Sequence, residues 1–286
     1  YLTKCLVRGF VRIPSFKKEK NMRKAFISLM LLLAASWMIS LPACTEKQAS
    51  NDWVLVWEDE FEGETFDESV WSKIPRGHSD WNDQMDENDA CFEFKNGNVI
   101  LKGIVNPNEN DTIGYITGGL QTKGKKSFHR GRIEIKAKLQ AARGAWPAFW
   151  LMPFDTTEKW PDCGEIDIME RLNNDDFAYQ TIHSYYTTVL GIKDNPPYSA
   201  TGKINPDDYN VFAVELHKDS LVFFINDTRT FCYPRIETDK QGQFPFDKPY
   251  YLMIDQQLGG DWVGDVAMED LPMQMEIDWV RFYQKE

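Results

Sequence analysis

From Gly131 to Leu139 the apolar residues Ile133, Ile135, Ala137 and Leu139 alternate with Glu134, Lys136 and Lys138. A period of two is what a strand shows when one face is buried and the other is wet. Further runs at Trp53–Trp57, Asn98–Leu101, Val211–Leu216, Leu221–Ile225, Thr228–Tyr233, Tyr250–Ile254 and Met275–Tyr283 predict more strands. Turn chemistry separates them: Asn226-Asp227 joins two runs as a hairpin, and Asn96-Gly97 and Gly118-Gly119 mark other reversals. Pro and Gly interrupt nearly every helical stretch. Many short strands without strand–helix alternation predict an all-β fold of two packed sheets.

The first part of the chain breaks this pattern. Met22-Arg23-Lys24 is followed by the apolar run Ala25 to Leu41 and then Pro42-Ala43-Cys44, the layout of an export signal. Ala43 before Cys44, with Leu41 further back, resembles the lipobox of bacterial lipoproteins. That resemblance implies acylation of Cys44 and an exported protein anchored by lipid to the outer membrane, periplasmic or at the cell surface. A spanning anchor is the alternative, but the run is shorter than the ~20 apolar residues such a helix needs. The expected organisation is an upstream extension over 1–21, a signal peptide over 22–43, a polar tether over 44–52 and one domain over 53–286.

Losing residues 1–43 removes eight Lys/Arg and one acid, taking the net charge from −12 to −19. Nucleic acid is thereby excluded as a partner. An acidic chain with 14% aromatic residues suits a neutral ligand that stacks on rings and hydrogen-bonds to carboxylates and amides. Nothing points to an oligomer, so a monomer is expected. Cys91, Cys163 and Cys232 remain in the domain, which is large enough to need no disulfide.

Candidate chemistry concentrates in Trp160-Pro161-Asp162-Cys163-Gly164-Glu165-Ile166-Asp167-Ile168-Met169-Glu170. In a strand Glu165 and Asp167 share one face, and Ile166 and Ile168 the other. Strict alternation would bury Glu170. An unpaired buried carboxylate costs several kcal/mol, so a β-bulge near Ile168-Met169 that returns Glu170 to the acid face is expected. Two carboxyls brought to the ~5–5.5 Å separation used by retaining glycosidases could flank one glycosidic bond. Asp167 between them would separate their proton affinities. Three acids alone also suit a solvated strand face or a cation site.

Several segments together resemble glycoside hydrolase family 16: Trp57-Glu58-Asp59-Glu60-Phe61, Gly131 to Leu139, Gly144 to Pro153 with Trp146-Pro147-Ala148-Phe149-Trp150, Gly164 to Glu170, and Ile277-Asp278-Trp279-Val280-Arg281-Phe282-Tyr283. The similarity spans essentially the whole predicted domain. It implies a concanavalin-like β-sandwich jelly roll and retaining endo-hydrolysis of β-linked glycans that needs no cofactor. By the same resemblance Glu165 is the nucleophile, Asp167 the assisting acid and Glu170 the acid/base. Trp146 and Trp160 match aromatic positions near the cleft, and His183 a histidine on the neighbouring strand. Glu60 and Asp278 match places that hold a structural calcium in some members.

The chain departs from the glucan-cleaving pattern at Trp81 to Phe92, at Gly119, and at Ile254-Asp255-Gln256-Gln257-Leu258-Gly259-Gly260-Asp261-Trp262. These segments look more like galactoside-cleaving members, including those acting on poly-N-acetyllactosamine in mucin-type glycans. Asp255, Gln257 and Trp262 become candidate substrate contacts, since acids and amides read hydroxyl orientation and an indole stacks on a sugar. The expected activity leans to β-galactosidic linkages. The alternatives are an endo-β-1,3- or β-1,3/1,4-glucanase and, from another class, a non-catalytic carbohydrate-binding lipoprotein.

Overall fold

The computed structural model describes residues 53–286. The expected signal segment, the lipidation site Cys44 and the tether lie outside the described residues. Within them, two antiparallel sheets account for nearly all regular structure, and the helical pieces are single turns at Asp89–Cys91, Tyr185–Val189 and Met268–Asp270.

The nine-stranded sheet runs Thr228–Pro234, Ser220–Ile225, Asn210–Leu216, Gly131–Leu139, Met273–Lys285, Asn98–Val105, Phe92–Lys95, with Trp53–Asp59 and Tyr115–Thr117 paired off that path. The seven-stranded sheet runs Ser199–Lys203, Phe177–His183, Glu165–Glu170, Ala145–Pro153, Tyr250–Leu258, Gly119–Gln121, Ser72–Lys73. The alternation over Gly131–Leu139 has the predicted result: every second residue, from Gly131 through Leu139, is buried. Ile133 and Ile135 meet Phe149, Leu151, Ile166, Ile168, Leu252 and Ile254 of the other sheet in one core. Phe149 and Phe212 pack across it with ring centroids 5.8 Å apart. Burying each such side chain fully contributes about 1.5–3 kcal/mol.

The hairpins at Asn96-Gly97 and Asn226-Asp227 form as predicted, with positive φ at all four residues, the twist that two-residue turns favour. Gly118-Gly119 is a correction. The chain does not reverse there: Tyr115–Thr117 belongs to one sheet and Gly119–Gln121 to the other, so the pair is a crossover between layers. Close approach is the reason for glycine, since a Cβ on Gly118 would lie 2.8 Å from the Cys91 carbonyl oxygen and one on Gly119 2.7 Å from Asp255 Cβ. Cys91 and Cys163 are buried free thiols.

Candidate active site

The acid-bearing strand Glu165–Glu170 lies inside the seven-stranded sheet, between Phe177–His183 and Ala145–Pro153. Gly164 (φ 80°) precedes it, and a Cβ there would press within 3.0 Å of Pro245, Phe246 and Tyr250. Along the strand the expected bulge is present. Trp150 pairs with Asp167 but Phe149 pairs with Met169, and opposite them Thr181 pairs with Asp167 but Tyr179 with Glu170. The extra residue leaves Ile168 and Met169 both buried in the core. Glu170 thereby returns to the face of Glu165 and Asp167, and all three line one cleft of about 1280 Å³ on the outer side of the sheet. That exceeds the ~300–1000 Å³ typical of small-ligand pockets and leaves room for several sugar rings.

Each outer carboxylate is held by an indole. Trp160 Nε1 donates to Glu165 Oε2 at 2.9 Å, and Trp146 Nε1 donates to Glu170 Oε1 at 3.0 Å. His183, paired with Glu165 across the strands, places Nε2 3.3 Å from Asp167 Oδ2 and 3.8 Å from Glu165 Oε1. The 3.3 Å contact lacks hydrogen-bond alignment, so Asp167 Oδ2 has no hydrogen-bond partner. The Nδ1 of His183 sits 3.5 Å from Thr188 Oγ1.

Burial and mutual repulsion raise the proton affinity of all three acids. Glu165 is pushed up to about 8 by desolvation and by Asp167, against a downward pull from His183 and from the Trp160 N–H. Desolvation takes Asp167 to about 8 as well. Glu170 is driven well above the usual carboxylate range by desolvation first and then by the Asp167 charge. Three carboxylates this close cannot all ionise, and the order favours a protonated Glu170 beside a more readily ionised Glu165. An acid and a nucleophile require that separation.

The walls carry the aromatic candidates. Trp160 is 53% exposed and Trp262 48%, one on the Glu165 side and the other beside Trp146, whose ring it meets edge-on at 5.5 Å. Trp146 is 9% exposed, with its N–H turned to Glu170. The loop bearing Trp262 is tied down by Asp261 N–H to Asp80 Oδ2 (3.0 Å) and by Asn173 Nδ2 to the Val263 carbonyl (3.1 Å). Asp255 is a correction: it is wholly buried and does not line the cleft. Its carboxylate accepts from Trp150 Nε1 and from Gln257 Nε2, each at 2.8 Å. Gln257 does line the cleft. Tyr179 lines the cleft although the sequence did not single it out. It packs against Trp262 at 5.2 Å, and Trp81, from the segment that departs from the glucan-cleaving pattern, packs against Trp150 at 4.7 Å. Tyr179 stands four positions before His183 on the same strand face, a legible signal.

The expected calcium ligands fare differently. Glu60 pairs with Arg281 at 2.8 Å and Asp278 with Lys136 at 2.6 Å. Calcium takes six to eight oxygens, and two carboxylates already neutralised by the chain's own cations do not fit it. Among the described residues the group with metal-ligand spacing is Glu165, Asp167 and His183, whose ligand atoms lie within 4.8 Å of one another. That group is the acid cluster itself.

Comparison with known proteins agrees with this geometry. The description of glycosyl hydrolases family 16 matches residues 79–281. A keratan-sulfate endo-1,4-beta-galactosidase of Sphingobacterium multivorum is 36% identical over 239 residues, 82% of this chain and 56% of that protein. The chain thus spans little more than half that relative's length. A beta-glucanase of Rhodothermus marinus is 32% identical over 289 residues, 95% of this chain and 98% of that one. Among solved structures, the laminarinase from Rhodothermus marinus superposes with a TM-score of 0.73 at 28% identity, covering 82% of this chain and 98% of its own.

Proposed function

Because the chain belongs to glycosyl hydrolases family 16, we propose that it cuts β-galactosidic linkages inside poly-N-acetyllactosamine or mucin-type glycans, with Glu165 as nucleophile and Glu170 as acid/base. The coarser activity follows from membership: it is an endo-acting hydrolase of β-linked glycans that retains anomeric configuration. The observation that carries the residue roles is the bulge at Ile168-Met169, which puts Glu165 and Glu170 on one face, each fixed by an indole N–H.

In the first step Glu165 attacks the anomeric carbon while Glu170 gives its proton to the departing glycosidic oxygen, leaving a covalent glycosyl-enzyme. Glu170, now ionised, takes a proton from water, which attacks the same carbon and releases Glu165. Asp167 lies between them and adds to the repulsion that, with burial, raises the proton affinity of Glu170, while His183 stands beside Asp167 and Glu165. Trp160 and Trp262 offer exposed faces for sugar rings at the two sides of the acid row.

The galactosidic preference is supported by the cleft floor, where Gln257 stands anchored to buried Asp255, and by the Sphingobacterium relative. A second reading, a β-glucanase, is favoured by the Rhodothermus relative and the laminarinase structure. Product analysis on poly-N-acetyllactosamine, mucin glycans, laminarin and mixed-linked glucan decides between them. We expect galactosidic oligosaccharides, with turnover lost on the order of a thousandfold or more in Glu165→Ala. Products from glucans alone would replace the first reading with the second, and undiminished turnover in Glu165→Ala would remove Glu165 as nucleophile.

A further inference from the structure

Besides Asp167 Oδ2, an amide oxygen in the cleft floor is served by no donor among the described residues. Gln257 is 3% exposed, its Nε2 donates to Asp255 Oδ1 at 2.8 Å, and its Oε1 is covered and has no hydrogen-bond partner. The orientation of this amide is dictated from behind. Both oxygens of Asp255 accept, one from Trp150 Nε1 and one from Gln257 Nε2, so the nitrogen of Gln257 turns to Asp255 and the oxygen turns away from it. Asp255 cannot swing aside, because it is wholly buried and Trp150 Nε1 holds its other oxygen at 2.8 Å. Buried polar atoms left unpaired are uncommon, and each calls for an explanation.

The position of the orphan oxygen suggests its partner. Gln257 pairs with Trp146 across the strands, and Trp146 holds Glu170, so the carboxamide lies at the floor close to where the scissile bond must pass. It is recessed rather than on the wall. Glu165 attacks the α face of the ring, so in a β-galactoside the axial 4-hydroxyl stands on the opposite face, the side of Glu170 and Gln257. An acceptor on that side is therefore met by an axial hydroxyl, whereas an all-equatorial sugar presents only C–H along that axis.

We infer that Gln257 Oε1 accepts a hydrogen bond from the axial 4-hydroxyl of a galactose bound against Glu170, which makes Gln257 a specificity residue that selects galacto- over gluco-configured chains. Asp255 is its positioning residue, acting through the amide it anchors. The inference rests on the galactosidic reading given above and assigns the selection to one atom.

The test uses an N-acetyllactosamine oligosaccharide, its counterpart lacking the 4-hydroxyl on the galactose at the cleavage point, and a laminari-oligosaccharide. These are assayed with the wild-type protein and with Gln257→Met, which keeps volume and loses the acceptor. In the wild type, removing the hydroxyl should lower kcat/KM by about ten- to a hundredfold, since a site built to bond a hydroxyl rejects the analogue without it. Gln257→Met should lose a similar factor on the parent galactoside, nothing further on the deoxy substrate, and less than that factor on any glucan cleaved. Losses that multiply instead of merging, or an equal loss on all substrates, would overturn the inference and leave the galactosidic reading standing. Cleavage of glucans alone by the wild type would end that reading and this one with it. If Gln257→Met does not fold, the deoxy pair still decides with the wild type, because equal rates on the two galactosides overturn the inference.

Discussion

At the scale of the residue, the site depends on who shares protons with whom. Glu165 must be ionised to attack, yet burial raises its pKa to about 8, and the pull of His183 and the Trp160 N–H works in the opposite direction. The acid limb of the kcat/KM profile should therefore lie well above the ordinary carboxylate range. Replacing His183 by Gln removes one downward pull, so the limb should move further up. Activity should fall most at the acidic end and least at alkaline pH. A pH–rate profile of the variant on one soluble oligosaccharide checks this. A uniform drop with an unmoved limb would mean that His183 only shapes the wall.

At the scale of the element, one extra residue in a six-residue strand decides whether the chain can be an enzyme. With strict alternation Glu170 would point at Phe149 and Ile182 in the core; with the bulge it points at substrate. Deleting Ile168 removes the extra residue and leaves Glu165, Asp167 and Glu170 at alternate positions, still on one face. The deletion should keep Glu170 in the cleft and retain measurable hydrolysis, while the loss of a buried side chain costs about 2–5 kcal/mol, at about 2–4 °C of melting temperature per kcal/mol for a domain of this size. Ile168→Val, which keeps the bulge, should cost only about 0.5–1.5 kcal/mol and retain turnover. Melting curves and rates for the pair check this, and a folded deletion variant without activity would show that the bulge supplies more than the face Glu170 takes.

At the scale of the whole molecule, the acid cluster sets the pH dependence of stability. Asp167 and Glu165 bind protons with pKa values of about 8 in the fold, against ordinary values of 3.8 and 4.5, and buried Asp255 rises to about 7. Between those ordinary values and 7–8 the folded state holds more protons than the unfolded one. Stability is then greatest at the acidic end of that window and falls as pH rises through it. Asp167→Asn, which needs no proton, should melt higher than the wild type at pH 8, with the gap closing toward pH 4. Calorimetry across that range tests it, and a gap independent of pH would mean that the cluster does not titrate as a unit with folding.

The sequence by itself determined the fold class and the chemical centre. Period-two alternation such as Ile133 to Leu139 specifies which face of a strand is buried, and burial of that face is a local decision repeated strand by strand. The acids were legible because three carboxylates in six residues sit among apolar neighbours, and the bulge because a carboxylate could not be left in the core. What only the tertiary structure decided involves partners far apart in the chain. Gly118-Gly119 reads as a turn until the two sheets it bridges are placed. Asp255 reads as a substrate contact until Trp150, 105 positions away, covers it and claims its oxygen. Glu60 and Asp278 read as metal ligands until Arg281 and Lys136 neutralise them. In each case the deciding group arrives from another strand or loop, and pairing register and packing depth, which have no trace in local periodicity, determine what it meets.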